Sequence, residues 1–270
     1  MTITAGIDIG STYSKAIILG DGRQTLGSSL SKTGFRLGEI AEKVYDAALS
    51  EAGLERGDVS YVVATGFGRH QVEFRDVHAT DLTAAGRGAS LLLPGTRTVL
   101  DIGGQTMKAS RLDDRGKVKS FRLNDKCAAG TGAFLEKTAR YMGFSTEEIG
   151  ALAATSHEPV TVSGVCAVFA ESEVINHLSQ GAAPAVIMFG SMQSLTGRAL
   201  QLMKRVRMEP EYTLIGGILR FSTMVDELRG HLEGQVNVPE GHVVQFTGAL
   251  GAALLGFRRY EQLKSEGVSV

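Results

Sequence analysis

Apolar residues alternate with small or polar ones through residues 3–9, 14–20 and about 24–30, a period of two that predicts three strands joined by tight turns. Leu37, Ile40, Val44, Ala47 and Ala48 then recur at helical spacing, which predicts a helix over about 36–52, stopped by Gly53. Tyr61-Val62-Val63-Ala64 reads as a buried strand running into Thr65-Gly66-Phe67-Gly68, and residues 80–92 read as a helix. Three strands, a helix, a strand and a helix make one half of a duplicated α/β fold, and a second hairpin opens the other half at Val99. Beyond it the pattern predicts helices over about 130–141 and 146–154, a strand at 159–163, and helices at about 167–179 and 184–206. A strand at 212–215 and helices at about 220–232 and 247–264 complete the chain. The expected lobes are residues 1–92 and 93–270, with the C-terminal helix a candidate to cross back to the first.

The two hairpins share a word. Ile7-Asp8-Ile9-Gly10-Ser11-Thr12 leads to Lys15, and Leu100-Asp101-Ile102-Gly103-Gly104-Gln105 leads to Lys108, so Asp, Gly and Lys recur at the same offsets. A Gly at the end of an apolar strand permits a tight turn whose backbone N–H groups lie bare beside a ligand, and phosphate oxygens are the natural guest. An Asp just ahead of the turn is placed to hold hydrated Mg²⁺ or to orient water at a γ-phosphate, because Mg²⁺ takes only one or two carboxylates beside phosphate oxygens. One such motif alone is an ordinary hairpin; two predict a clamp on a nucleoside triphosphate. Walker A and GxGxxG patterns are absent, as expected where hairpins hold the phosphates.

Composition narrows the partners. Lys plus Arg (28) nearly balance Asp plus Glu (29), with no basic stripe, so nucleic acid is excluded as an expected partner. The N-terminus leads straight into a strand and no apolar run approaches the roughly 18 residues needed to span a bilayer, so no membrane contact and a cytoplasmic location are expected. The six histidines show no metal-ligand spacing.

Cys127 and Cys166 are the chain's two cysteines, too few for a disulfide scaffold. Each precedes a predicted helix, and the positive end of a helix lowers a thiol pKa. Buried, inert thiols are one reading. The other is metal–sulfur chemistry, in which two cysteines furnish half of a 4Fe–4S cluster and a second chain furnishes the rest.

The words around them carry a resemblance. Asn124-Asp125-Lys126-Cys127-Ala128-Ala129-Gly130-Thr131-Gly132 and Cys166-Ala167-Val168-Phe169-Ala170-Glu171-Ser172-Glu173-Val174, set beside the Asp-Ile-Gly hairpins, resemble the BadF/BadG/BcrA/BcrD ATPase family from Gly6 to Leu254. The resemblance implies an actin-like α/β ATPase fold, shared with acetate kinases, sugar kinases and heat-shock chaperones, built of two duplicated RNase H-like lobes. It implies ATP and Mg²⁺ as cofactors, and a 4Fe–4S cluster shared with a second homologous ATPase chain through Cys127 and Cys166. By matching positions, Asp8 and Asp101 are the catalytic carboxylates, Gly10, Ser11, Thr12 and Lys15 the first phosphate loop, and Gly103, Gly104 and Gln105 the second. Gly130, Thr131 and Gly132 are expected near the phosphates, and Gly216 and Gly217 in the adenosine-contacting turn Leu214-Ile215-Gly216-Gly217. Phe246 to Ala253 resembles the family's closing helix.

The family holds both ATP-binding subunits of benzoyl-CoA reductase and activators of 2-hydroxyacyl-CoA dehydratases. In the activators the Gly-Gly turn is typically followed by a small residue and Asn, whereas this chain runs Ile218-Leu219-Arg220-Phe221. That departure favours the D-type chain of the reductase: an ATP-hydrolysing iron–sulfur electron carrier for dearomatising benzoyl-CoA. Its expected partners are acyl-CoA-binding iron–sulfur subunits and a low-potential donor such as ferredoxin. The homodimeric dehydratase activator is the alternative. A sugar kinase, with Asp101 as base for a sugar hydroxyl, and a chaperone-like ATPase follow; the kinase has no use for two Cys-led helices, and 270 residues leave little room for a client-binding domain.

Overall fold

The computed structural model describes residues 1–124, 130–156, 158–163 and 167–268. Two compact units emerge. One comprises Met1–Thr96, Leu112–Val118 and Gln245–Val270; the other comprises Arg97–Arg111 and Lys119–Val244.

The first unit is built on β1 (Ile3–Ile9), β2 (Tyr13–Gly20), β3 (Gln24–Lys32), β4 (Tyr61–Thr65) and β5 (Val77–His78), in the order β3-β2-β1-β4-β5. β1 is antiparallel to β2 and parallel to β4. The period-two pattern decides which side chain faces which helix. Ile3, Ala5, Ile7 and Ile9 pack with Ala16 and Ile18 against α1 (Leu37–Ala52) through Ile40, Val44, Tyr45 and Leu49. That helix ends where sequence places its stop, with Gly53 left-handed at φ 66 and its N–H returned to the last-turn carbonyls. On the opposite face Ile17 and Leu19 meet Leu250, Ala253 and Leu254 of α8 (Val243–Ser265), while Val63 packs with Ala252 and with Ala84 of α2 (Asp81–Leu92).

The second unit repeats the sheet with β6 (Thr98–Ile102), β7 (Met107–Leu112), β8 (Val118–Asn124), β9 (Tyr212–Ile215) and β10 (Val236–Asn237), ordered β10-β9-β6-β7-β8. Here β6 is antiparallel to β7 and parallel to β9, the connectivity of β1, β2 and β4 again. Leu100, Ile102, Met107 and Leu214 enter a core shared with α3 (Gly132–Tyr141), α4 (Ile149–Ala154), α5 (Ala167–Ser179), α6 (Pro184–Arg205) and α7 (Ser222–Arg229).

The strand expected at 159–163 is absent: 158–163 carry no ladder. Val162 is buried in the core and Val160 packs beside it, which produced the alternating pattern. The backbone is satisfied by helix side chains instead: the Ser163 N–H donates to the Glu173 carboxylate, and the His177 ring bonds the Thr161 carbonyl at 3.1 Å. The helix expected from 130 begins at Gly132, and Cys127 lies outside the described residues, as does Cys166. No helix among the described residues is long and apolar enough to cross a membrane.

Candidate functional site

Each unit carries its own half of the motif. In the first, hairpin register sets Asp8 opposite Lys15, and the parallel pairing of β1 with β4 sets Thr65 on Asp8's other side. Lys15 Nζ donates to Asp8 Oδ2 at 3.1 Å. In the second unit Asp101 faces Lys108 across the hairpin and Ile215 across β9, and Lys108 Nζ donates to Asp101 Oδ2 at 3.3 Å. The four side chains are only 15–19% exposed, so each carboxylate is shielded enough to need its ammonium and open enough to meet a ligand.

A glycine at positive φ follows both parallel strands. Gly66 (φ 87) lies against Asp8 Oδ1, and a Cβ there would stand 2.6 Å from the Ile9 carbonyl oxygen. Gly216 (φ 104) does the same in the copy: a Cβ would stand 2.8 Å from Asp101 Oδ1 and against the Ile102 carbonyl. The backbone is therefore used as a wall that fixes the carboxylate from behind, which only Gly permits. In the first unit the wall is braced by Gly68 N–H donating to Ile9 O at 2.9 Å and by the Arg69 guanidinium on Gly66 O at 3.0 Å. Gly248 of α8 closes over Asp8, its Cβ position 3.4 Å from Oδ2.

The sequence-predicted loops occupy the ends of these hairpins. Gly10, Ser11 and Thr12 form the half-buried β1–β2 turn, which buried Thr33 supports by donating its hydroxyl to Gly10 O at 2.8 Å and its N–H to Thr12 O at 3.0 Å. Gly103, Gly104 and exposed Gln105 form the β6–β7 turn, closed by Gly103 N–H on Thr106 O at 2.8 Å. Thr131 and Gly132 are brought to this second turn. The Gly132 N–H donates to Gly103 O at 2.9 Å and the Ala133 N–H to Gly104 O at 2.7 Å. Two of the N–H groups that open α3 are thus engaged by the hairpin, so the helix start is locked to the loop rather than left as a bare anion site. Gly130 precedes that start and Gly217 opens a 3-10 turn beyond Gly216. Aligning the two copies set Lys108 at the same offset from Asp101 as Lys15 from Asp8, though Lys108 was not assigned to the site; Thr33, Thr65 and Gly66 were not assigned to it either.

Elsewhere the helices that follow the two cysteine segments are tied together. Lys137 and Tyr141 of α3 both bond Glu171 of α5, the hydroxyl at 3.3 Å, so Glu171 has a structural task. His70 and His78 stack edge to face at 4.6 Å, and desolvation, then Arg69, His78 and Arg75, hold His70 below its usual range. No group of three His, Cys, Asp or Glu able to hold a metal ion exists among the described residues.

A model of the BadF/BadG/BcrA/BcrD ATPase family matches residues 5–256. The chain belongs to that family. With its two mixed sheets it is an actin-like ATPase fold. Relatives in the family include the 2-hydroxyisocaproyl-CoA dehydratase activator of Clostridioides difficile, 38% identical over 97% of this chain and 98% of the activator. The D-type chain of benzoyl-CoA reductase from Thauera aromatica is 38% identical over 99% of this chain and 97% of its own length. The solved structure of the Clostridium difficile activator with bound ADPNP superimposes with a TM-score of 0.92 at 37% identity, covering 100% of this chain and 99% of that one.

Activators and the benzoyl-CoA reductase chain match at similar identity, which supports an ATPase of this family and does not single out benzoyl-CoA reduction. The residues on which the benzoyl-CoA reading leaned have another explanation. Ile218, Leu219 and Phe221 are buried in the second unit's core, where Ile218 packs against Gly132, and Arg220 lies over the Phe221 ring at 4.9 Å and 3.7 Å from Glu147. Three of the four side chains are therefore held by core packing, and the exposed Arg220 by its contacts with Phe221 and Glu147.

Proposed function

We propose that this ATPase is a homodimeric, ATP-dependent activator of a 2-hydroxyacyl-CoA dehydratase. The observation that carries the reading is the duplicated carboxylate–ammonium pair, each backed by a glycine wall, in a chain that matches an activator over nearly all of both lengths. Gly10, Ser11, Thr12 and Lys15 serve as the first phosphate loop, and Gly103, Gly104 and Gln105 as the second. Gly130, Thr131 and Gly132 join the second loop, and Gly216 and Gly217 form the adenosine-side turn. Asp8 and Asp101 are hard oxygen donors suited to Mg²⁺ through its waters and to orienting the water that attacks the γ-phosphate.

Cys127 and Cys166 would hold a 4Fe–4S cluster with the same pair from a second copy, since two thiolates are half of what such a cluster takes. The cluster supplies a one-electron carrier of low potential. The lock between the second hairpin and the start of α3 supports a mechanical route from nucleotide to the segment containing Cys127. A ferredoxin-type donor and the dehydratase are the partners.

The test is anaerobic purification followed by iron and sulfide analysis. About two irons per chain, from four divided between two copies, together with MgATP-dependent electron delivery to a dehydratase, is the expected result. Cys166→Ser is expected to lose the iron while keeping its thermal stabilisation by MgATP. Protein that acquires iron only alongside a different ATPase chain would overturn the activator reading in favour of a reductase component.

A further inference from the structure

Thr65 carries a hydroxyl that the fold does not use. The residue is 1% exposed and its Oγ1 is enclosed with no hydrogen-bond partner. An enclosed, unpaired hydroxyl lowers stability, so an apolar residue of the same shape would serve the sheet better. The second copy does use one: Ile215 occupies the corresponding place beside Asp101, with its positive-φ glycine next in sequence just as Gly66 follows Thr65. The duplicated framework thus accepts an aliphatic side chain here, and the hydroxyl belongs to the first copy alone.

Its neighbour is the reason. Thr65 and Asp8 are register partners on adjacent strands, about 4.8 Å apart, a span that rotation of the two side chains about χ1 closes to a hydrogen bond. In the present state Asp8 Oδ2 is occupied by Lys15 at 3.1 Å. Resting on the nucleotide reading above, we infer that Thr65 is a positioning residue for Asp8. Triphosphate oxygens draw Lys15 away, and the Thr65 hydroxyl then donates to the carboxylate Lys15 has left, holding it in place toward the attacking water. Ile215 offers Asp101 no equivalent donor, so Asp101 stays with Lys108. The two carboxylates are therefore unequal, with Asp8 exchanging partners as nucleotide binds.

The experiment compares wild type, Thr65→Val and Thr65→Ser as full-length protein. It reads kcat and KM for MgATP hydrolysis, and thermal midpoints with and without MgADPNP. Thr65→Val is expected to unfold no lower than wild type when free, to keep KM within twofold, and to lose at least tenfold in kcat; Thr65→Ser is expected to stay within twofold throughout. Unchanged kcat in Thr65→Val, a lowered midpoint of the free variant, or equal loss in Thr65→Ser would each overturn the inference. A wild-type midpoint that MgADPNP fails to raise would instead overturn the nucleotide reading beneath it.

Discussion

Gly66→Ala and Gly216→Ala are each expected to lower MgATP hydrolysis by about 100-fold, measured as steady-state phosphate release. Both positions hold positive φ, which costs a side-chain-bearing residue about 1–2 kcal/mol. The larger effect is steric. At Gly66 the added methyl would stand against Asp8 Oδ1 and 2.6 Å from Ile9 O; at Gly216 it would stand 2.8 Å from Asp101 Oδ1. Real Cβ atoms do not approach within 3.0 Å, so either the strand end or the carboxylate must move by several tenths of an ångström. Misplacement of a reacting group by about 1 Å costs on the order of 100-fold, which sets the scale. Gly143→Ala separates strain from contact: it shares the positive φ, at 83°, but nothing lies within 4 Å of its Cβ position. Hydrolysis by Gly143→Ala at the wild-type rate, beside two crippled variants, would assign the loss to the carboxylates. Full activity in Gly66→Ala would remove Asp8 from the mechanism.

How far this site was legible depends on what a residue answers to. The Asp-to-Lys offset of seven is the same in both copies, and a hairpin of fixed length turns equal offset into equal register, so both ion pairs follow from the sequence. The glycine walls do not, because Gly66 and Gly216 reach their carboxylates through parallel pairing of strands far apart in the chain, which no local pattern encodes. Residues 159–163 failed for a different reason. Val162 is buried and Val160 half-buried as in a strand, yet Glu173 and His177 bond the Ser163 N–H and the Thr161 carbonyl in place of a neighbouring strand, a choice made by one helix downstream. The two-residue edge strands β5 and β10 are shorter than any periodicity that would announce them. The Ile218–Phe221 segment was read as chemistry, whereas Ile218, Leu219 and Phe221 are core residues.

The stability of the first unit should depend on the small-residue contacts that bring helix backbones together, Gly251 among them. Gly251→Ala is expected to lower the unfolding free energy by about 3 kcal/mol, read from the denaturant midpoint at unchanged slope. Gly251 lies in α8, and a Cβ there would run into the backbone of α2, against the Ala84 carbonyl and 2.6 Å from Gly88 N. Backbone cannot rotate aside as a side chain can, so the two helices must separate, and the contacts of Leu250, Ala252 and Leu254 loosen with them. Gly256 in the same helix is the matched case. Its Cβ position meets Val63 Cγ2 at 3.1 Å and Tyr61 Cδ1 at 3.5 Å, side-chain atoms that can yield, so Gly256→Ala should cost under about 1.5 kcal/mol. Gly197, exposed in α6 with nothing near its Cβ position, should reverse the sign, gaining up to about 1 kcal/mol from helix propensity. That order, with Gly251→Ala lowest and Gly197→Ala above wild type, distinguishes backbone contact from helix propensity, because propensity alone would raise all three. It also bears on function, since α8 carries Gly248 over Asp8, and a helix pushed off α2 takes that cover with it.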